Sequence, residues 1–584
     1  MKRSLAAVAL GIFFLAGCST TASHNKHAAA SSLSSEYLDA TFGFYPGMGT
    51  AAGLHQYDGK VLDLSAQSIA KRVASLNALK VQAQQVAESA DNAETRLQAK
   101  AILAAINDEL LKITVYGYYT SNPMRYADSI DASIYAKRDF APKADRMRSA
   151  ISVLKGMRPL VNAAKQNLDP VLDKTLVETT IKIAEGQADF AQGDLVKGFE
   201  DVAEPQLQAE LKTAAADGAA AMREYVVWLK TERLAKATTK FAIGRDNFAR
   251  TLRECEYITQ TPEEILEIGL KELARQKAAF ENAAKEIDPN KSPTAVWEAV
   301  QHDHPTAKSL IPDTKAHLAE IRKFLVDRQL ITFPTTQEVI VDETPSFLRA
   351  TSFASMDTPG VFETKATESF YYVTPPDASW DAAKTEEWLT AFNYYTTDVV
   401  SIHEAYPGHF EQAMHLKASG VNGAARYVGS YAFIEGWAHY TEQMALDEGF
   451  PPASLKTDPH ANAKYRMAQA SEALLRVCRL VAAIRMHCQG QSLDDATKFF
   501  TENCYYPEQP ARAEAERGAY DPMYCLYTVG KLQFFKLRED WRQQEGANFS
   551  LKRFHDEVLR HGQPPVRLLR ERMLKDRASW DKTL

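Results

Sequence analysis

Apolar residues recur at intervals of three and four along most of this chain, and that spacing restricts it to helices packed on helices. Between about Ser35 and Arg250 the sequence is rich in Ala, Leu, Lys, Glu and Gln. Within it, Leu97, Ala101, Ile102, Ile106, Leu110 and Leu111 trace one face of a helix. Such a stripe must be buried against another element, so this half reads as a helical scaffold. Thr261, followed by Pro262, Glu263 and Glu264, marks a helix start that runs through Leu266, Ile268, Leu270 and Leu273. Asp288 to Pro293 reads as a turn. After Phe333-Pro334 the texture changes. Val339-Ile340-Val341 and Phe370-Tyr371-Tyr372-Val373 are β-branched and aromatic runs, the pattern of short strands. Helical periodicity resumes near Ala382 and is broken near Gly449-Phe450-Pro451-Pro452 and Tyr506-Pro507. The expected fold is mainly α, with long helices enclosing a channel and a small β-sheet at its wall.

The 584 residues, 45% hydrophobic and 24% charged, have the composition of a globular chain, not of a disordered or fibrous one. A net charge of −7 with no long basic run argues against nucleic acid as a partner, because such binding needs surplus cations. Lys2 and Arg3 precede a short apolar stretch, Leu5 to Phe14, that is too short to span a bilayer and reads as a secretory signal. The closing Leu15-Ala16-Gly17-Cys18 resembles a bacterial lipobox, which makes residues 1–17 a lipoprotein-type signal peptide and Cys18 the lipidated residue. A plain signal with a chance cysteine is the alternative. Cleavage would remove two cations and no acids, leaving a net charge of −9. Polar residues 18–35 then read as a flexible tether. The implied location is exported, periplasmic or outer-membrane, with the membrane engaged through the Cys18 anchor. Cys255, Cys478, Cys488, Cys504 and Cys525 match no zinc ribbon and read mainly as buried thiols, with room for one bridge among the last four.

The most informative segment is His403-Glu404-Ala405-Tyr406-Pro407-Gly408-His409. Two imidazoles with an adjacent carboxylate supply metal ligands and a base. Histidines four apart share a helix face, but these are six apart, and on a straight helix His409 would point about 120° away from His403. Pro407 must kink or break the helix, and Gly408 permits an unusual backbone, so the break can return His409 to the face of His403 or equally carry it to an unrelated surface. About thirty residues on, Glu435, His439 and Glu442 lie within the apolar, aromatic run Phe433 to Glu442. Acids in such company are paired or metal-bound. Glu435 is the expected third ligand, and His439, with Glu442 one turn further on, is expected to orient it. A surface helix with its acids facing water is the plainer alternative.

These residues, with Glu435-Gly436-Trp437-Ala438, resemble the DUF885 family of bacterial proteins and through it the gluzincin-like zinc metallopeptidases. Pro46 to Asp58 resembles the family's N-terminal signature, and Thr358 to Phe362 with Tyr371-Tyr372 its central segment. The resemblance implies that His403, His409 and Glu435 bind Zn and that Glu404 activates the metal-bound water. It also implies an oxyanion donor from the C-terminal stretch Glu516 to Lys531, where Arg517, Pro522, Tyr527 and Gly530 match a family motif while Met523, Tyr524 and Cys525 replace its Gly-Gln-Ala. His487 matches another motif, with Ala483 and Arg485 standing in for its Asp and Gly. Tyr527 is favoured as the donor. Arg517, Tyr520 and His487 are candidate substrate contacts, and Arg517 or Lys531 would hold a peptide carboxylate unless neighbouring acids claim them.

The expected organisation is a helical lobe over 36–250 and a metallopeptidase-like catalytic lobe over 251–584, with the sheet next to the zinc site. The expected activity is zinc-dependent hydrolysis of short or unfolded peptides in the cell envelope. Two other readings remain at this point: a non-catalytic peptide-binding or structural lipoprotein using metal as a staple, and a zinc hydrolase of another amide or ester.

Overall fold

The computed structural model describes residues 17–584 except 346–348, 350–352 and 457, with side chains from residue 29 onward. Residues 1–16 of the expected signal peptide, and the side chain of Cys18, lie outside the described residues. The chain is mainly helical, and the described residues contain one three-stranded sheet. Local signals explain the helix starts. Thr261 and Glu264 form a reciprocal cap, Thr261 Oγ1 accepting from Glu264 N at 3.2 Å and Glu264 Oε2 accepting from Thr261 N at 2.7 Å, and the helix runs to Ile287. The helix Ala93–Thr114 buries the six apolar residues that define its stripe.

Three buried clusters result. One gathers residues 64–229 with Ala366, and the largest gathers residues 248–574. A third joins Leu33 and Tyr37 to Leu76, Leu79 and Ile106, and to Ala424 and Val428 from far along the chain. This third cluster corrects the expected tether over 18–35. Gly17–Phe44 is one helix, and Leu33 and Tyr37, one turn apart, are buried on its inner face. The five described cysteines are all free thiols, so the bridge allowed for among the last four is absent.

The sheet comprises β1 (Ile340–Glu343), β2 (Ala354–Asp357) and β3 (Phe370–Val373) in the order β1-β3-β2, with β1 parallel and β2 antiparallel to β3. It rests on the helix Tyr394–Glu404, whose Ser401 hydroxyl donates to Tyr371 Oη at 3.2 Å. The helix Tyr431–Asp447 packs on that same helix and crosses Leu526–Glu545 at Gly436 and Gly530. A Cβ on Gly436 would lie 2.5 Å from the Gly530 Cα, and one on Gly530 would lie 2.0 Å from the Ala432 carbonyl oxygen. Only glycines permit that approach, and it fixes the helix that carries Glu435.

Candidate metal centre

The helix bearing His403 ends at Glu404, and a second helix, His409–Ala418, begins at His409. Between them the chain turns sharply through a cis Tyr406-Pro407 peptide. Gly408 packs so tightly on the preceding turn that a Cβ there would fall 1.7 Å from the His403 carbonyl oxygen. The buried Trp437 indole donates to Pro407 O at 2.9 Å and pins the turn to the neighbouring helix. The break returns His409 to His403, their rings perpendicular with centroids 4.8 Å apart.

Glu435 closes the group. Its Oε2 lies 3.5 Å from His403 Nε2 and 3.5 Å from His409 Nε2, and the three donor atoms all fall within 4.8 Å of one another. That oxygen is buried and accepts no hydrogen bond. On the far side of the His403 ring, Nδ1 lies 2.7 Å from Glu442 Oε1. A carboxylate only accepts, so Nδ1 carries the proton and the Nε2 of a neutral ring presents a lone pair to Glu435. Two acceptors facing each other at 3.5 Å need a positive charge between them. Donor atoms about 2.1 Å from one tetrahedral ion stand about 3.4 Å apart, so two imidazoles and a carboxylate at these separations fit a zinc-type ion. In the absence of metal a proton fills the need. Burial works against a charged His403, but Glu435 and Glu442 outweigh it and push the imidazole pKa up to about 9. Burial likewise opposes ionisation of Glu435, yet His403 and His409 hold its carboxyl well below the usual range.

The partner of His439 differs from expectation. His439 does not reach Glu435; its Nδ1 lies 3.0 Å from Glu442 Oε2, so Glu442 joins His439 to His403 and orients a histidine instead of the glutamate. The i, i+3 spacing of His439 and Glu442 favours that pair once Glu435 has turned toward the two histidines. Arg476, which the sequence reading did not single out, stands 3.6 Å from Glu442 Oε1 and offsets its buried charge. The helix Ala461–Cys488 carries several other cations, among them Arg466, Arg479 and Arg485, so nothing in the sequence sets Arg476 apart.

Glu404 lines a cleft of about 350 Å³ together with His409, Glu435 and the loop Thr358–Val361. One of its oxygens accepts from Met356 N, on the outer strand β2, at 3.2 Å. The loop wall is braced by the N-terminal segment, since Phe362 N donates to Ala52 O at 2.8 Å and His55 Nε2 meets Glu363 Oε2 at 2.9 Å.

The remaining expected residues divide. The Tyr527 ring packs on Tyr431 at 5.6 Å; burial and the nearby Glu435 charge raise its hydroxyl pKa. Arg517 is engaged by Asp521 at 3.2 Å and Tyr431 Oη at 3.3 Å. Tyr520 ends its helix half-buried. His487 is corrected outright. Its Nδ1 accepts from Ile243 N at 3.3 Å and its Nε2 donates to Gly518 O at 2.7 Å, so neither ring nitrogen is left for a substrate, and burial lowers its pKa to about 4. Lys531 is fully buried against Glu272. One further trio among the described residues has metal-type donors, His302, His304 and Glu386. It is largely exposed, and both rings already reach one Glu386 oxygen at 3.1–3.2 Å, so it lacks the orphaned oxygen that distinguishes the buried centre.

Fold and site together define a helical protein with a half-buried two-histidine, one-glutamate cluster at the wall of a cleft. The chain belongs to the family described as bacterial protein of unknown function (DUF885), whose model matches residues 46–573. Comparison with curated proteins gives no significant match. Among solved structures, a "putative lipoprotein of unknown function" from Shewanella oneidensis is 20% identical with a TM-score of 0.77, the match covering 94% of this chain and 100% of that one. A "putative lipoprotein" from Colwellia psychrerythraea is 17% identical with a TM-score of 0.78, covering 93% and 98%. These similarities establish the fold. An M32 carboxypeptidase from Deinococcus radiodurans R1 is aligned over 95% of each chain at 12% identity, with a TM-score of only 0.35, too low to establish a shared fold.

Proposed function

We propose that this protein is a zinc-dependent peptidase acting on short or unfolded peptides in the cell envelope. The observation that carries the reading is the orphaned Glu435 oxygen between two imidazole nitrogens, with the Glu404 carboxylate in the same cleft. His403, His409 and Glu435 would hold the ion. When bound, zinc polarises a carbonyl and acidifies water at neutral pH. Glu404 follows His403 directly in the sequence, and a carboxylate there can take a proton from the attacking water and return it to the leaving amine. The strand order leaves β2 at the sheet edge beside Glu404, where an extended peptide can pair with backbone groups. A cleft of about 350 Å³ suits a short segment and excludes a folded domain. Tyr527, close enough to Glu435 to feel its charge, is the proposed oxyanion donor.

Glu404→Gln keeps the shape of the side chain and removes the base. The expected outcome is a loss of peptide hydrolysis of at least about a hundredfold with zinc content unchanged, read by mass-spectrometric cleavage mapping and elemental analysis. Full turnover in that variant would reject the assignment. Zinc binding without cleavage across a diverse peptide mixture would favour a metal-stapled binding protein.

A further inference from the structure

The cleft carries two cations that nothing in the fold neutralises. Lys417, at the end of the helix His409–Ala418, and Arg426, on the short helix Ala424–Tyr427, both line it, and neither side chain makes a hydrogen bond or ion pair with any described residue. The Arg426 Nε is buried and unpartnered. Gln412, only 3% exposed, lines the same cleft with its amide nitrogen unpartnered. Away from the Glu404–Glu435 centre the lining includes one carboxylate, Glu363, and it is already committed. One of its oxygens meets His55, and the other accepts from the backbone N–H groups of Thr364, Lys365 and Ala366. The cations that the sequence suggested for a substrate carboxylate are spent on Asp521 and Glu272. The buried Arg426 Nε and Gln412 amide nitrogen, left without acceptors, are costly unless a ligand supplies the acceptor, whereas Lys417 is exposed at the cleft and adds charge at its mouth.

We infer that Arg426, Lys417 and Gln412 form a carboxylate-recognition subsite in the cleft, selecting peptides that present either a free C-terminal carboxylate or an acidic side chain. The inference rests on the cleft being a peptide site. Arginine's planar fork pairs with both oxygens of a carboxylate, the lysine adds a point charge, and an amide N–H completes the cradle. The subsite would let Glu404 and the metal ligands act on a peptide held by its charged end.

The test uses the zinc-loaded Glu404→Gln protein, so that binding is read without turnover. Calorimetry compares neutral tetrapeptides as free acids and as C-terminal amides, and amidated peptides containing Glu or Gln. At least one carboxylate form should bind about tenfold or more tightly than its neutral twin, and which one does so identifies the source. Adding Lys417→Met and Arg426→Met should erase that preference while zinc content and far-UV circular dichroism stay unchanged. Equal binding of acids and neutral twins, survival of the preference in the double substitution, or no peptide binding would each overturn the inference. Cleavage by the wild-type protein is scored separately. A carboxylate preference without cleavage keeps the subsite and sinks the hydrolase reading, whereas cleavage indifferent to charge does the reverse.

Discussion

Glu442 determines what His403 can do. By accepting from Nδ1 at 2.7 Å it aims Nε2 at Glu435 and, together with Glu435, holds the metal-free imidazole pKa up at about 9. The folded value lies above the ordinary value of 6.5. In the metal-free protein this group therefore contributes stability that is fully present below about pH 6.5 and is lost as pH rises through about 9. A metal ion must displace the same proton. Between about pH 6.5 and 9, zinc affinity should accordingly fall up to about tenfold for each unit of acidification, with about one proton released per ion from this site. Calorimetry in buffers of different ionisation enthalpy measures that release. Glu442→Gln should weaken zinc binding by about 10–100-fold and shift the release edge to lower pH. Unchanged affinity and an unchanged edge would remove Glu442 from this role. At this scale the sequence was informative about which residues meet, because a proline between two histidines forces a break. It was silent on which acid serves which histidine, because spacings of three and four on one helix both bring side chains together, and tertiary packing chooses between them.

The helices were legible from their period and caps, whereas β2 was not. Ala354-Ser355-Met356-Asp357 has neither β-branched residues nor a fully buried face, so only its pairing with β3 makes it a strand. The same limit hides the Gly436–Gly530 crossing, where two unremarkable glycines ninety-four residues apart set the distance between the Glu435 helix and its neighbour. Gly530→Ala places a methyl group against rigid backbone, since its nearest contact would be the Ala432 carbonyl oxygen at 2.0 Å. The helices must then separate, at a cost of about 1–3 kcal/mol. Because Glu435 immediately precedes Gly436, zinc affinity should fall along with the urea midpoint. Gly546→Ala, where a Cβ meets open space, is the control for local backbone strain at a positive-φ glycine away from the centre. A Gly530→Ala protein with wild-type midpoint and zinc affinity would show that the crossing does not position the site.

Across the whole molecule, segments separated by hundreds of residues converge on one wall, and such convergence cannot be read from local pattern. Ala52 and His55 brace Phe362 and Glu363 beside the cleft, and Leu33 and Tyr37 pack near Ala424, which starts the helix that carries Arg426. The N-terminal helix is therefore part of the folded body, and this changes how an anchored protein would stand on a membrane. No helix among the described residues is long and apolar enough to cross a bilayer, and the proposed anchor is a lipid on Cys18. Leu33 lies fifteen helical steps beyond Cys18, a rise of about 22 Å, which gives a short stalk instead of the slack polar tether suggested by composition. With the proposed signal removed, a body carrying a net charge of −9 would gain no attraction to an anionic lipid surface, so in this proposal the lipid supplies the affinity. Cys18→Ser should move the protein from the membrane fraction to the soluble fraction of the envelope, with zinc content and fold unchanged. Retention of the serine variant at the membrane through a high-salt wash would mean that another part of the molecule holds it there, and the anchoring role of Cys18 would fall.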